Sequence, residues 1–151
     1  KRWFNSKLLG EIEHARRLSQ PLSLIMLDVD HFKNFNDNHG HAAGDRVLKE
    51  LGRIILNIVR QTDTPCRFGG EEFTVILPGA DRDEALTIAE RLRHGFANLR
   101  FKIRPYQSSG ATISLGVAQL TDEDDEDSFF QRSDGALYQA KSQGRNRSVV
   151  L

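Results

Sequence analysis

The chain has little of several things that would declare its class at once. It holds one cysteine, one methionine and one tryptophan in 151 residues. A lone cysteine, Cys66, allows no internal disulfide, which excludes a disulfide-stapled secreted scaffold and fits a reducing, cytoplasmic compartment. No apolar run approaches the roughly 20 residues that span a bilayer. The opening stretch KRWFNSKLLGEIEHARRLSQ carries charge throughout, unlike a signal peptide. A soluble chain without direct membrane contact is therefore expected. Neither sign of charge is in excess, because 21 Lys plus Arg balance 21 Asp plus Glu. The bulk composition thus leaves no footprint for a nucleic-acid polymer, and any binding charge must be local.

What is present suits a single core, and one domain over residues 1–151 is expected. Phe4, Leu8, Ile12 and Ala15 share one helical face in a pattern already under way at the first residue, which predicts a fragment cut from a longer protein. Pro21 ends this helix. LSLIMLDVD reads as a strand covered on both faces. From Gly44 onward, Val47, Leu48, Leu51, Ile54, Ile55 and Ile58 recur at helical spacing. PCRFGGEEFTVILPG reads as two strands about a tight Gly69–Gly70 turn. A helix follows with Ala85, Ile88, Ala89, Leu92 and Phe96 on one face. GATISLGVAQL alternates as a strand, SFFQRSDGALYQAKSQG is a helix capped by Gly144, and RSVVL is a last strand. Interleaved helices and strands with a hairpin predict an α/β (α+β) fold around a mixed sheet. The acidic run Asp122 to Asp127 reads as a solvated loop whose last members favour the next helix's positive end. Phe129, Phe130 and Tyr138 read as core, and Trp3 as exposed.

Acids gather where ligands do. Asp28 and Asp30 lie two apart at a strand end, so both carboxylates project from one face, and in open α/β sheets ligands collect beyond such ends. A calcium loop from Asp28 fails, because Phe32 and Lys33 occupy its fifth and sixth positions. The polar loop HFKNFNDNHGHAAGD could turn backbone NH groups and Lys33 toward phosphate oxygens. Asn36 and Asp45 could read a guanine edge, or simply cap the next helix. His39 and His41 flank Gly40 and could pair on a metal. If the Gly69–Gly70 hairpin abuts the Asp28 strand, Glu71 comes beside Asp28, an oxygen-only setting that suits magnesium.

These stretches together resemble the GGDEF domain, the catalytic domain of bacterial diguanylate cyclases. The signature stands here as GGEEF, Gly69 to Phe73, and the resemblance extends to DVDHFKNFNDNHGHAAGD, Asp28 to Asp45, and ALYQAKSQGRN, Ala136 to Asn146. The resemblance implies a central, mostly antiparallel five-stranded sheet surrounded by helices, related to nucleotidyl cyclases and polymerase palm domains. It implies condensation of two GTP into cyclic di-GMP and pyrophosphate by a homodimer with Mg²⁺ or Mn²⁺. Asp28, the Val29 carbonyl and Glu71 are implied to hold the metals, and Glu72 to assist there or in activating the ribose 3′-hydroxyl. Asn36 and Asp45 are implied to read guanine, while Lys141, Arg145 and the backbone of His31, Phe32 and Lys33 contact phosphates. The resemblance makes His39 and His41 loop and packing residues instead of a metal pair. Arg60 and Asp63, an Arg-x-x-Asp before Gly69, resemble the family's inhibitory product site, with Arg91 a contributor. Outside the family context such a pair is an ordinary ion pair. The family's Asp-x-Leu-Thr segment and its upstream sensory or receiver domain are missing from this chain. A cyclic di-GMP or GTP receptor without catalysis is the alternative expectation.

Overall fold

The computed structural model describes residues 1–104 and 107–151. In chain order the elements are α1 (Arg2–Leu18), β1 (Leu22–Val29), α2 (Phe32–His39), α3 (His41–Ile58), β2 (Thr64–Gly69), β3 (Glu72–Pro78) and α4 (Arg82–Ala97). Then come β4 (Phe101–Arg104), β5 (Gln107–Ser109), β6 (Ile113–Gln119), α5 (Glu126–Ser142) and β7 (Ser148–Val150). Five strands form one sheet in the order β2-β3-β1-β6-β7, and β4 pairs with β5 as a separate ribbon. β1 runs antiparallel to both neighbours, and only β7 joins parallel, to β6. The sheet is mixed and mostly antiparallel, as expected.

The apolar run of β1 explains its central place. Every residue from Leu22 to Val29 is buried, which requires helices on both faces. On one face Phe4, Leu8 and Ile12 of α1 and Phe129 of α5 cover Leu22, Leu24 and Ile76. On the other, Val47 and Leu51 of α3 and Leu92 and Phe96 of α4 cover Ile25, Leu27, Val75 and Leu115. α5 reaches the sheet because residue 116 has no side chain. A Cβ there would lie 2.1 Å from the Leu137 nitrogen and 2.3 Å from the Ser133 oxygen. This close seat aims the last turn of α5 at the end of β1.

Several expectations need correction. The stretch taken as a polar loop is helical: α2 occupies Phe32–His39, and α3 starts at His41 rather than Gly44. Its lone buried apolar residue, Phe35, stacks on His39 at 4.7 Å between centroids, too few apolar contacts to give a readable period. The β4–β5 ribbon was not anticipated, because two strands of four and three residues carry almost no alternation. α5 begins inside the acidic run, where Asp125 caps it by accepting from the Ser128 amide at 2.8 Å. Asp124 is buried rather than solvated, being only 7% exposed. Gly144 closes α5 as expected, at φ 122° just past Gln143, with the Arg145 amide donating back to the Ala140 carbonyl at 2.9 Å. Tyr138 is 73% exposed and no part of the core, whereas Phe129 is fully buried. Trp3 is exposed, as expected.

Candidate active site

The site assembles where β1 ends, the β2–β3 turn passes and α5 stops. Asp28 is 4% exposed. Its Oδ2 pairs with the ammonium of Lys141, from the last turn of α5, while its Oδ1 is buried without any hydrogen-bond partner among the described residues. Burial pushes the Asp28 carboxyl up to about 6, against the hydrogen bond and charge of Lys141 and with the help of Asp30 and Glu71. A buried acid with one oxygen unserved is a poor structural group and a good place for a cation.

The ladder corrects one adjacency. Asp28 faces Glu72 on β3, not Glu71, which lies in the turn after Gly70. Glu71 is nonetheless near enough for its charge to act on Asp28. Gly70 takes φ 47°, a left-handed conformation glycine adopts without penalty. Arg67 pins this turn by donating to the Gly70 carbonyl from Nε at 2.9 Å and from Nη2 at 2.7 Å. Sequence reasoning passed over Arg67, although its place three residues before Gly70 was a signal. Among the described residues no group of three or more His, Cys, Asp or Glu side chains could hold a metal. The expected ligand set has only two side chains and a carbonyl, and the unserved Asp28 oxygen leaves room there for a cation.

A second orphan lies on α2. Asn36 Oδ1 on α2 is buried and also unpartnered among the described residues. A Cβ at position 44 would sit 1.8 Å from it, so Gly44 makes room for the amide beside Asp45, an exposed residue of α3. His31, at φ 54°, starts α2 with no side-chain cap. The first amides of that helix therefore remain available as donors near the exposed Lys33. Phe32 packs partly on the core rather than facing outward.

Asp30 does different work from Asp28. It accepts from Thr112 Oγ1 at 2.6 Å, from Ser114 Oγ at 2.5 Å and from the Asn146 amide at 3.0 Å. Asn146 belongs to the turn carrying Arg145, and both have positive φ, 63° for Arg145 and 47° for Asn146. For residues with a Cβ this conformation costs about 1–2 kcal/mol each. Thr112, Ser114 and Asn146 were missed from sequence, since their spacing from Asp30 is set by folding alone.

Arg60 and Asp63 lie at a separate place, where α3 hands over to β2. Asp63, 7% exposed, accepts from Arg60 Nη2 at 2.7 Å and from the Arg60 amide at 2.7 Å. Arg60 also donates to the Pro78 carbonyl at 2.9 Å. The hydrogen bond to Asp63 raises the already high pKa of Arg60. Arg91 lies exposed on α4, in an apolar groove with Ile58 and Leu86, and shares no hydrogen bond with this pair among the described residues.

A mostly antiparallel sheet with acids gathered at its central strand end is a palm-like catalytic architecture. The chain belongs to the GGDEF family, since the family model described as "Diguanylate cyclase, GGDEF domain" matches residues 1–147. It is 43% identical over 145 residues to diguanylate cyclase A of Treponema denticola, covering 94% of this chain and 38% of that protein. To the response regulator PleD of Caulobacter vibrioides it is 38% identical over 151 residues, covering 99% of this chain and 33% of that one. The chain thus spans little more than a third of these relatives' length. Among solved structures, the active GGEEF domain of a diguanylate cyclase from Vibrio cholerae superposes with a TM-score of 0.94 at 36% identity, covering 99% of this chain and 95% of that one. The GGDEF domain of DgcB from Caulobacter crescentus, solved in complex with c-di-GMP, gives a TM-score of 0.94 at 31% identity, covering 99% and 89%. Among the described residues no helix is long and apolar enough to cross a membrane.

Proposed function

We propose that this domain condenses two GTP into cyclic di-GMP, releasing two pyrophosphates, in a site completed by a second copy of the chain. One observation carries the reading: two buried acceptors, Asp28 Oδ1 and Asn36 Oδ1, are left without partners among the described residues. One calls for a cation and the other for a donor such as a guanine NH. Family membership and the named activities of the similar proteins support it.

Asp28, the Val29 carbonyl and Glu71 would hold Mg²⁺ or Mn²⁺. Bound there, the ion would ease loss of the 3′-hydroxyl proton and offset charge on the attacking and leaving oxygens. Asn36 and Asp45 hold the base. The uncapped start of α2 at His31, Phe32 and Lys33, together with Lys141 and Arg145, holds the triphosphate. Each 3′-oxygen attacks the α-phosphorus of the GTP on the other copy. The new O–P bond forms as the α–β bridging bond breaks, and Glu72 takes the hydroxyl proton. Because each copy carries one half-site, apposing two of them is the enabling step. Arg60 and Asp63, with Arg91, bind the product and restrain turnover, which requires opening their mutual ion pair. The domain operates in the cytoplasm as one unit of a longer protein, under control of an attached or separate partner. The reading is supported by a similar protein, the diguanylate cyclase SiaD of Pseudomonas aeruginosa, solved in complex with its activator SiaC.

The test is incubation with GTP and Mg²⁺ across protein concentration, with the product identified by mass spectrometry. Cyclic di-GMP formed at a rate steeper than first order in protein is expected. Absence of product from a demonstrably dimeric full-length protein would sink the reading, and cyclic di-GMP binding without turnover would make the domain a receptor.

A further inference from the structure

We infer that Asp30 is a positioning residue for the phosphate-binding turn, acting through the Asn146 amide to hold Arg145 in place. The inference rests on the proposed role of Arg145 toward GTP. Asp30 is 7% exposed, and its two oxygens accept three hydrogen bonds. Two of the donors, Thr112 and Ser114, lie on or beside β6, so that strand anchors the carboxylate. The third is the backbone of the one segment among the described residues in which two consecutive non-glycine residues have positive φ. Such a conformation persists only where surrounding groups over-determine it.

The turn is gripped from its other side as well. Arg93 of α4 donates from Nη1 to Asn146 Oδ1 at 3.1 Å, and is itself held by Glu90, which also accepts from Ser148 Oγ at 2.8 Å. From inside, the Arg145 amide donates to the Ala140 carbonyl of α5 at 2.9 Å. The end of β1, β6, α4 and α5 thus converge on residues 145 and 146, and Asp30 supplies a carboxylate that reaches the backbone between them. Asp28 and Asp30 therefore divide the labour of the Asp-x-Asp pair. The first is left unsatisfied for a ligand, and the second is spent on aligning a cation for the same ligand's far end.

The test uses 3′-deoxy-GTP, which lacks the attacking hydroxyl, so that binding is read apart from chemistry. In calorimetry with Mg²⁺, Asp30→Ala is expected to weaken binding about tenfold, the scale of loss when a positioned group is displaced. Asp30→Asn keeps an acceptor for the Asn146 amide and should restore most of that loss. In an Arg145→Ala background, Asp30→Ala should add little further loss, because the two act as one unit. Fully additive losses, or unchanged binding in Asp30→Ala, would overturn the inference. If Asp30→Ala fails to fold, Asp30→Ser, which retains a polar group in the pocket, takes its place in the same cycle. Amide hydrogen exchange without nucleotide separates this inference from the functional reading. Faster exchange at Asn146 in the Asp30 variant is expected, and unchanged exchange there overturns the positioning role even if the wild-type chain binds no GTP.

Discussion

Helix α5 carries two cations that each meet a buried aspartate. From its second turn Arg132 faces Asp124, and from its last turn Lys141 faces Asp28. The two acids are nearly equally buried, at 7% and 4% exposure. Their surroundings differ in completeness. Asp124 accepts from Arg132 through two nitrogens, from the Thr121 amide at 2.9 Å and from Ser128 Oγ at 2.8 Å. Burial alone would raise its pKa, but Arg132 and these donors outweigh it and hold the group at about 2. Asp28 has Lys141 on one oxygen and no described partner on the other, and burial wins, lifting it to about 6. The first acid is a finished fastening between the β6 exit and α5. The second is an unfinished one, as the proposed metal-binding role of Asp28 requires.

Substitution should separate them most sharply in activity. Asp28→Ala or Glu71→Ala is expected to lower cyclic di-GMP formation on the order of 10³-fold, the scale of removing a key electrostatic group. The fold should survive, as circular dichroism and the melting curve would report. Asp124→Ala should do the reverse. It leaves Arg132 with only the Gln119 and Leu151 carbonyls as acceptors and costs about 3 kcal/mol in denaturant unfolding, while turnover per folded molecule stays within a few-fold. Equal loss of stability in the Asp28 and Asp124 variants would break the comparison.

Gly116→Ala strikes both ends of α5 together, since the added methyl meets the helix backbone within 2.3 Å. A loss of about 2 kcal/mol is expected from overpacking, together with reduced GTP binding as Lys141 shifts. Acid titration isolates the finished pair. The folded pKa of Asp124 lies below its usual value of 3.8, so its contribution is full above that value and is lost as pH falls toward about 2. Asp124→Asn should therefore flatten the melting temperature's acid limb between about pH 4 and 2. The smallest expected effect concerns the third pair. Arg60→Ala should raise the cyclic di-GMP concentration needed for half-inhibition about tenfold, the scale of one lost charge-assisted contact, as measured in product-titrated turnover.

Much of this was legible beforehand. The continuous apolar run of β1 announced a strand buried on both faces, and Gly69–Gly70 announced the hairpin. The capping acid Asp81 stands where a helix start was expected. α2 was not legible, because a helix of eight residues with one buried apolar side chain has no period to detect. Tyr138 misled, because helical spacing marks a stripe of residues without telling which of them the sheet covers.

Sequence alone determined which residue types are available and how they alternate along each element. Hydrophobic period and turn chemistry are local properties, and the order of helices and strands follows from them. The three motif blocks are likewise a matter of order along the chain. Only the tertiary structure decided that Asp28 faces Glu72, that Lys141 meets Asp28, and that Asp30 reaches an amide 116 residues further on. Those pairings depend on strand register and on how closely α5 can lie against Gly116. Both are settled by long-range packing, whose geometry no local spacing encodes.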